Sequence, residues 1–198
     1  DALIAYAAEK EGFTRTAAWQ ILKKVPISEE GYRQLEKQTV YPEAGNLWLH
    51  SQKADGTPRP AWTKWNICLD GVYMSQMFLI RLAEAIDNGK VEIVDSRGQL
   101  VTSEQIWEDV YSRLRFVMGH FRDETSGLLY HGYSVGTGET NEAFWSRGIG
   151  WYAMVLMEAA EKCPDPEKKA VLVADFGKLM TALVRWQDFE TFLWYNVT

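Results

Sequence analysis

The sequence predicts an all-α fold built from helical hairpins in two concentric layers. Every strongly periodic segment carries its apolar residues at helical spacing. Helices that are apolar nearly all round alternate with helices that are apolar along one stripe, as inner and outer layers require. No continuous β-branched runs separate these segments, which argues against a βαβ arrangement.

The 198-residue chain opens with an Ala-rich helical segment, Asp1 to Lys10, and a second at Arg15 to Lys24, ahead of Pro26. Ser28 opens a third helix, where Glu29 and Glu30 suit the positive end of its dipole. Gly71 to Ile86 is apolar on almost every side, through Val72, Tyr73, Met77, Phe78, Ile80 and Leu82, so it must be buried. Thr102 and Gln105 form a capping box at the start of a helix reaching Phe121. That helix has one stripe, Ile106, Val110, Leu114, Val117, Met118 and Phe121, and belongs to the surface. Arg147 to Lys162 is again apolar nearly all round, and Asp165-Pro166 starts a last amphipathic helix running to about Gln187.

The connections share a theme. Leu47-Trp48-Leu49-His50, Leu128-Leu129-Tyr130-His131 and Leu193-Trp194-Tyr195-Asn196 each follow an amphipathic segment, with uneven spacing between copies. Long loops in a compact domain are usually functional, and these are expected to gather at one end of the helical ring. The third copy stops at Thr198, where a further inner helix is expected, so residues 1–198 read as a single, incomplete domain.

Composition narrows the function. Hydrophobic residues make up 46 % of the chain, enough for a real core, and a formal net charge of −6 argues against a nucleic-acid partner. Aromatic residues reach 13 %, with nine Trp and nine Tyr, which suits both a core and a sugar-stacking cleft. Cys68 and Cys163 have no metal-site spacing and imply no disulfide framework. No apolar stretch is long enough to span a bilayer. No signal peptide is visible, and since the chain begins at Asp1 rather than Met, a preceding segment is expected and the compartment stays open.

Chemistry-bearing residues cluster at two inner-helix starts. Asp70 follows an aromatic stretch containing Trp62 and Trp65 and is read either as an N-cap or as an acid that keeps its proton beside Trp65 and Tyr73. Arg147 lies between Trp145 and Trp151 and suits bidentate recognition of a carboxylate, with Gly148 and Gly150 allowing close approach of a ligand or helix. His131 is read either as a hydrogen-bonded structural histidine or as part of the site. The loop carboxylates Asp123, Glu124, Glu139 and Glu142 offer an ordinary acid and nucleophile pair as another solution. No metal cluster, phosphate loop or Ser-His-Asp pattern competes in the sequence.

Four segments, in order, resemble one known family. Leu69-Asp70-Gly71-Val72-Tyr73-Met74, the loop from Asp123 to Gly132, Phe144 to Trp151, and Gln187-Asp188 to Trp194-Tyr195 are similar to motifs of the unsaturated rhamnogalacturonyl hydrolases, glycoside hydrolase family 105, related to the unsaturated glucuronyl hydrolases of family 88. The resemblance covers about residues 40–198. It implies an (α/α)6 toroid that removes a terminal 4,5-unsaturated uronic acid from lyase-generated oligosaccharides of pectin type, by hydration of the C4=C5 bond. It further implies Asp70 as the acid/base, with His131, Trp145, Arg147 and Trp151 around the substrate; Trp48, Lys64 and Tyr73 are further candidates for substrate contact. No cofactor or metal is implied, nor a nucleic-acid or membrane partner, and a bacterial cytoplasmic or periplasmic location follows by resemblance. The sequence departs from the family's pattern: Cys68 occupies the position where the family carries Trp, the Lys-bearing approach to that segment is altered, with Lys64 as the candidate substitute, and the family's second acidic residue has no match upstream of Trp48.

Two other readings remain at this point. One is another (α/α)6 sugar enzyme, such as a polysaccharide lyase or an epimerase. The other is a non-catalytic carbohydrate-binding relative.

Overall fold

The structure, a computed structural model, describes residues 67–93, 99–134 and 137–196. The helices expected at 1–10, 15–24 and from Ser28, and the loop theme at 47–50, lie outside these residues. A two-residue strand β1 (Ile67–Cys68) runs directly into helix α1 (Leu69–Asp87). Helix α2 (Ser103–His120), strand β2 (Gly132–Tyr133), helix α3 (Ser146–Lys162) and helix α4 (Pro166–Arg185) follow. The all-α expectation holds; β1 and β2 form one short antiparallel pair.

Local chemistry explains the helix ends. Thr102 accepts from the N–H of Gln105 at 3.2 Å while the Gln105 side chain accepts from the Thr102 N–H at 3.0 Å, the capping box read from sequence. Asp165 accepts from the N–H groups of Glu167 and Lys168 at 2.9 and 3.0 Å, with Pro166 as the first helical residue of α4. At α1 the N-cap reading of Asp70 is overturned. Cys68 holds that position with extended backbone, and Asp70 lies inside the first helical turn. Its carboxylate is therefore not spent on capping.

Cross-helix contacts define two layers. Tyr73 packs against Trp151, Arg81 pairs with Glu158 at 2.7 Å, and Lys162 pairs with Glu84 at 2.5 Å. The separation in sequence hardly changes along this series, so α1 and α3 run parallel and in register. The outer helices repeat the pattern: Arg115 meets Asp175 and Lys168 meets Glu108, each pair 60 residues apart. The Tyr152 hydroxyl donates to the Leu114 carbonyl at 2.7 Å and ties α3 to α2. Between the layers, Phe78 and Leu82 of α1, Val110 and Leu114 of α2, Tyr152 and Leu156 of α3, and Leu172 and Leu179 of α4 are fully buried. Each such side chain contributes roughly 1.5–3 kcal/mol relative to exposure. Helix α3 departs from its expected all-round burial, because Met154 and Met157 are 46 % and 48 % exposed. They share a face that the other described residues leave open.

The loop theme repeats in its two described copies and extends further than the aromatic motif. Asp123 and Asp188 donate their N–H groups to Leu128 and Leu193, each at 2.9 Å. Their side chains accept from the N–H groups of Ser126 and Thr191 at 2.6 and 2.7 Å, and from the hydroxyls of Tyr130 and Tyr195, both at 3.4 Å. Gly127 and Phe192 then occupy equivalent left-handed positions, with φ of 77° and 58°. Each loop ends by capping an inner helix: the His131 carbonyl accepts from the N–H of Leu69 at 3.2 Å, and the Asn196 carbonyl from that of Ser146 at 3.0 Å. These bonds satisfy one of the orphan donors at the start of α1 and of α3.

Candidate active site

Because α1 and α3 are parallel, their N-termini lie at the same end of the fold, and the repeated loops cover that end. Both helix dipoles present their positive ends there, an environment that favours an anionic group. Strand pairing sets the details. Ile67 faces Tyr133 and Cys68 faces Gly132, which brings His131 over the first turn of α1. The backbone of His131 is held from the other side by its N–H donating to Ala143 at 2.9 Å.

In this setting His131 Nδ1 lies 3.8 Å from Asp70 Oδ2. Both atoms are buried and have no hydrogen-bond partner among the described residues. A buried polar atom left unpaired costs about 1–3 kcal/mol, so such atoms usually mark a place where a ligand, water or reaction supplies the partner. Burial pushes the His131 imidazole below its ordinary 6.5; the nearby Arg147 charge acts in the same direction and the Asp70 carboxylate opposes both. The ring is accordingly neutral at neutral pH.

The start of α3 completes the cluster. Trp145 meets the His131 ring edge-on with centroids 4.7 Å apart, and the Arg147 guanidinium carbon sits 4.2 Å over the Trp145 ring. The Trp145 indole N–H donates to the Asn196 side chain at 3.0 Å, which fixes the indole. One helical turn further in, on the faces of Asp70 and Arg147, the rings of Tyr73 and Trp151 meet at a tilt of 35° with centroids 4.8 Å apart. Burial, followed by the Glu158 charge, pushes the Tyr73 phenol up. Asp70, His131, Trp145 and Arg147 thus form one connected group, with the Tyr73–Trp151 pair one helical turn away, while Trp48 and Lys64 lie outside the described residues.

The two glycines behave differently. A Cβ on Gly148 would sit 2.7 Å from His131 Nδ1 and 3.1 Å from the Trp145 ring, so the missing side chain is what admits the imidazole. At Gly150 nothing lies within 4 Å, and the close approach expected there is not found among the described residues. Of the loop carboxylates, Asp123 is committed to its turn: the hydrogen bonds from Ser126 hold it below the usual carboxylate range. Cys68 is the member that the sequence reading leaves without a role. Its sulfur, one Asp70 oxygen and one His131 nitrogen all lie within 4.8 Å of one another. Burial pushes the thiol up to about 12. Linear spacing gives no sign of this grouping, because His131 arrives through the β1–β2 pairing. A separate apolar groove of about 280 Å³, lined by Leu128, Phe144, Ile149, Leu183 and Trp186 among others, includes none of Asp70, His131 or Arg147.

Two parallel inner helices, outer helices in register and loops closing one end define a class of all-α fold shared with a sugar-cleaving enzyme. A family 105 glycoside hydrolase from C. acetobutylicum ATCC 824 superposes with a TM-score of 0.63 at 23 % identity, over 85 % of this chain and 42 % of that one. Residues 10–198 match the model of Glycosyl Hydrolase Family 88, and the chain belongs to that family. A polysaccharide lyase aligns less well, with a TM-score of 0.46 and 20 % identity, over 64 % of this chain and 32 % of that one. The chain thus spans less than half the length of either structure.

Proposed function

We propose that this chain supplies the acid-bearing part of a glycoside hydrolase that removes a terminal 4,5-unsaturated uronic acid from lyase-generated oligosaccharides, with rhamnogalacturonan-type chains as the substrate class. Residues 1–198 are taken as one (α/α)6 domain or part of one. The observation that carries the reading is the unpartnered pair at 3.8 Å, Asp70 Oδ2 and His131 Nδ1, beside a cation held on an aromatic face. Membership of family 88 supports it.

Arg147 binds the uronate carboxylate; its position over Trp145 restricts the guanidinium, whose planar fork of donors suits a bidentate contact. Trp145, Tyr73 and Trp151 offer aromatic faces to the pyranose ring, and Trp48 and Lys64 are assigned to the same pocket. Asp70 donates its proton to C4 of the C4=C5 bond. Positive charge develops at C5, where the ring oxygen shares it. Water adds at C5 and returns a proton to the Asp70 carboxylate, so one group acts as acid and then as base. The hemiketal so formed opens, and the remaining sugar leaves with net consumption of one water. His131, neutral and facing Asp70, orients the carboxyl group.

The test is product analysis in D2O. Lyase-digested rhamnogalacturonan should lose the near-ultraviolet absorbance of its conjugated uronate, and the released product should carry deuterium at C4. Cleavage of a saturated uronide at the same rate, with no deuterium at carbon, would exclude this chemistry.

A further inference from the structure

We propose that Cys68, Asp70 and His131 bind a single zinc-like divalent cation, and that its occupancy blocks Asp70. One donor atom from each residue lies within 4.8 Å of the other two. A tetrahedral zinc ion with bonds of about 2.0–2.3 Å holds its ligand atoms roughly 3.3–3.8 Å apart. Asp70 Oδ2 and His131 Nδ1 stand at 3.8 Å already, so side-chain rotation of about an ångström closes the set. A thiolate, an imidazole and a carboxylate suit zinc or cobalt, whereas magnesium and calcium require oxygen donors.

A second observation points the same way. Asp70 Oδ2 and His131 Nδ1 are buried atoms without hydrogen-bond partners among the described residues, and a cation between them supplies both. The backbones that carry the ligands are fixed, Cys68 by its pairing with Gly132 and His131 by its carbonyl on Leu69 N–H. Three protein ligands leave a fourth position for water. The cation inhibits, because it occupies the carboxyl oxygen assigned to proton transfer. That inhibition rests on the hydrolase reading; binding does not.

Cobalt(II) is the probe, since a thiolate ligand gives it a near-ultraviolet charge-transfer band and tetrahedral coordination gives it strong visible bands. Titration of the reduced protein should saturate both bands at one equivalent, and zinc should abolish them. Cys163, buried against the Asp165 carbonyl, is the control: Cys163→Ala keeps the charge-transfer band. Cys68→Ala loses it, and His131→Ala weakens cobalt binding at least tenfold. Circular dichroism checks each variant's fold; Cys68→Ser replaces Cys68→Ala, His131→Gln replaces His131→Ala and Cys163→Ser replaces Cys163→Ala where the alanine variant unfolds. No thiolate band in the wild type, or a band that survives in folded Cys68→Ala or Cys68→Ser, would overturn the site. No substrate is turned over in this experiment, so its failure is separate from failure of the hydrolase reading.

Discussion

A methyl group on Gly148 would lie 2.7 Å from Nδ1 of His131. The first turn of α3 and the loop that carries His131 therefore meet through a vacancy that only glycine provides. Gly148→Ala is expected to push the imidazole away from Asp70, with an overpacking cost of about 1–3 kcal/mol. Turnover should fall more than the change in melting temperature explains, with kcat affected more than KM. Unchanged kcat in Gly148→Ala would show that the placement of His131 does not matter for the reaction.

His131 also makes stability depend on pH in a stated direction. Its folded-state pKa lies below 6.5, so the unfolded chain takes up a proton first as pH falls. Stability is thus fully present above pH 6.5 and declines below it, toward the folded-state value. Urea unfolding of His131→Gln across that interval should give a flatter profile than the wild type. Parallel profiles would contradict the assignment.

Gly127 and Phe192 sit at the same point of two copies of one loop, yet only one has the residue that the backbone favours. A non-glycine residue in the left-handed region costs about 1–2 kcal/mol. Gly127→Ala should destabilise by at least that amount, because its Cβ would also lie 3.0 Å from Ala182. Phe192 is 68 % exposed, so Phe192→Gly relieves strain and loses little packing. It should leave stability unchanged or raise it slightly. A loss above about 1 kcal/mol in chemical denaturation would mean that the Phe192 side chain holds the loop.

Much of the fold is legible in the sequence because it depends on short-range chemistry. The Thr102–Gln105 box and the Asp165-Pro166 start are complete within four residues, and the apolar periodicity of α1 sets its burial. The repeated aromatic loops are visible as a theme, although the equivalence of Asp123 with Asp188 emerges only from their matching hydrogen bonds. What escapes the sequence is long-range. Whether Asp70 caps α1 or sits inside it depends on where extended backbone gives way to helix, and the Cys68–Gly132 pairing decides that. The same pairing sets His131 opposite Asp70 and draws Cys68 into the group. A two-residue strand carries no periodic signal that announces it. The exposure of Met154 and Met157 is equally unreadable, because it depends on which face of α3 its neighbours cover.

The most direct measurement compares Asp70→Asn with the wild type on lyase-digested rhamnogalacturonan, following loss of the unsaturated-uronate absorbance. Asparagine keeps the shape of the side chain but has no carboxyl proton to give to C4. The expected result is a rate lowered by about 10²–10⁴-fold in a protein with unchanged circular dichroism. A wild-type rate that survives in Asp70→Asn would contradict the assignment of Asp70 as the acid.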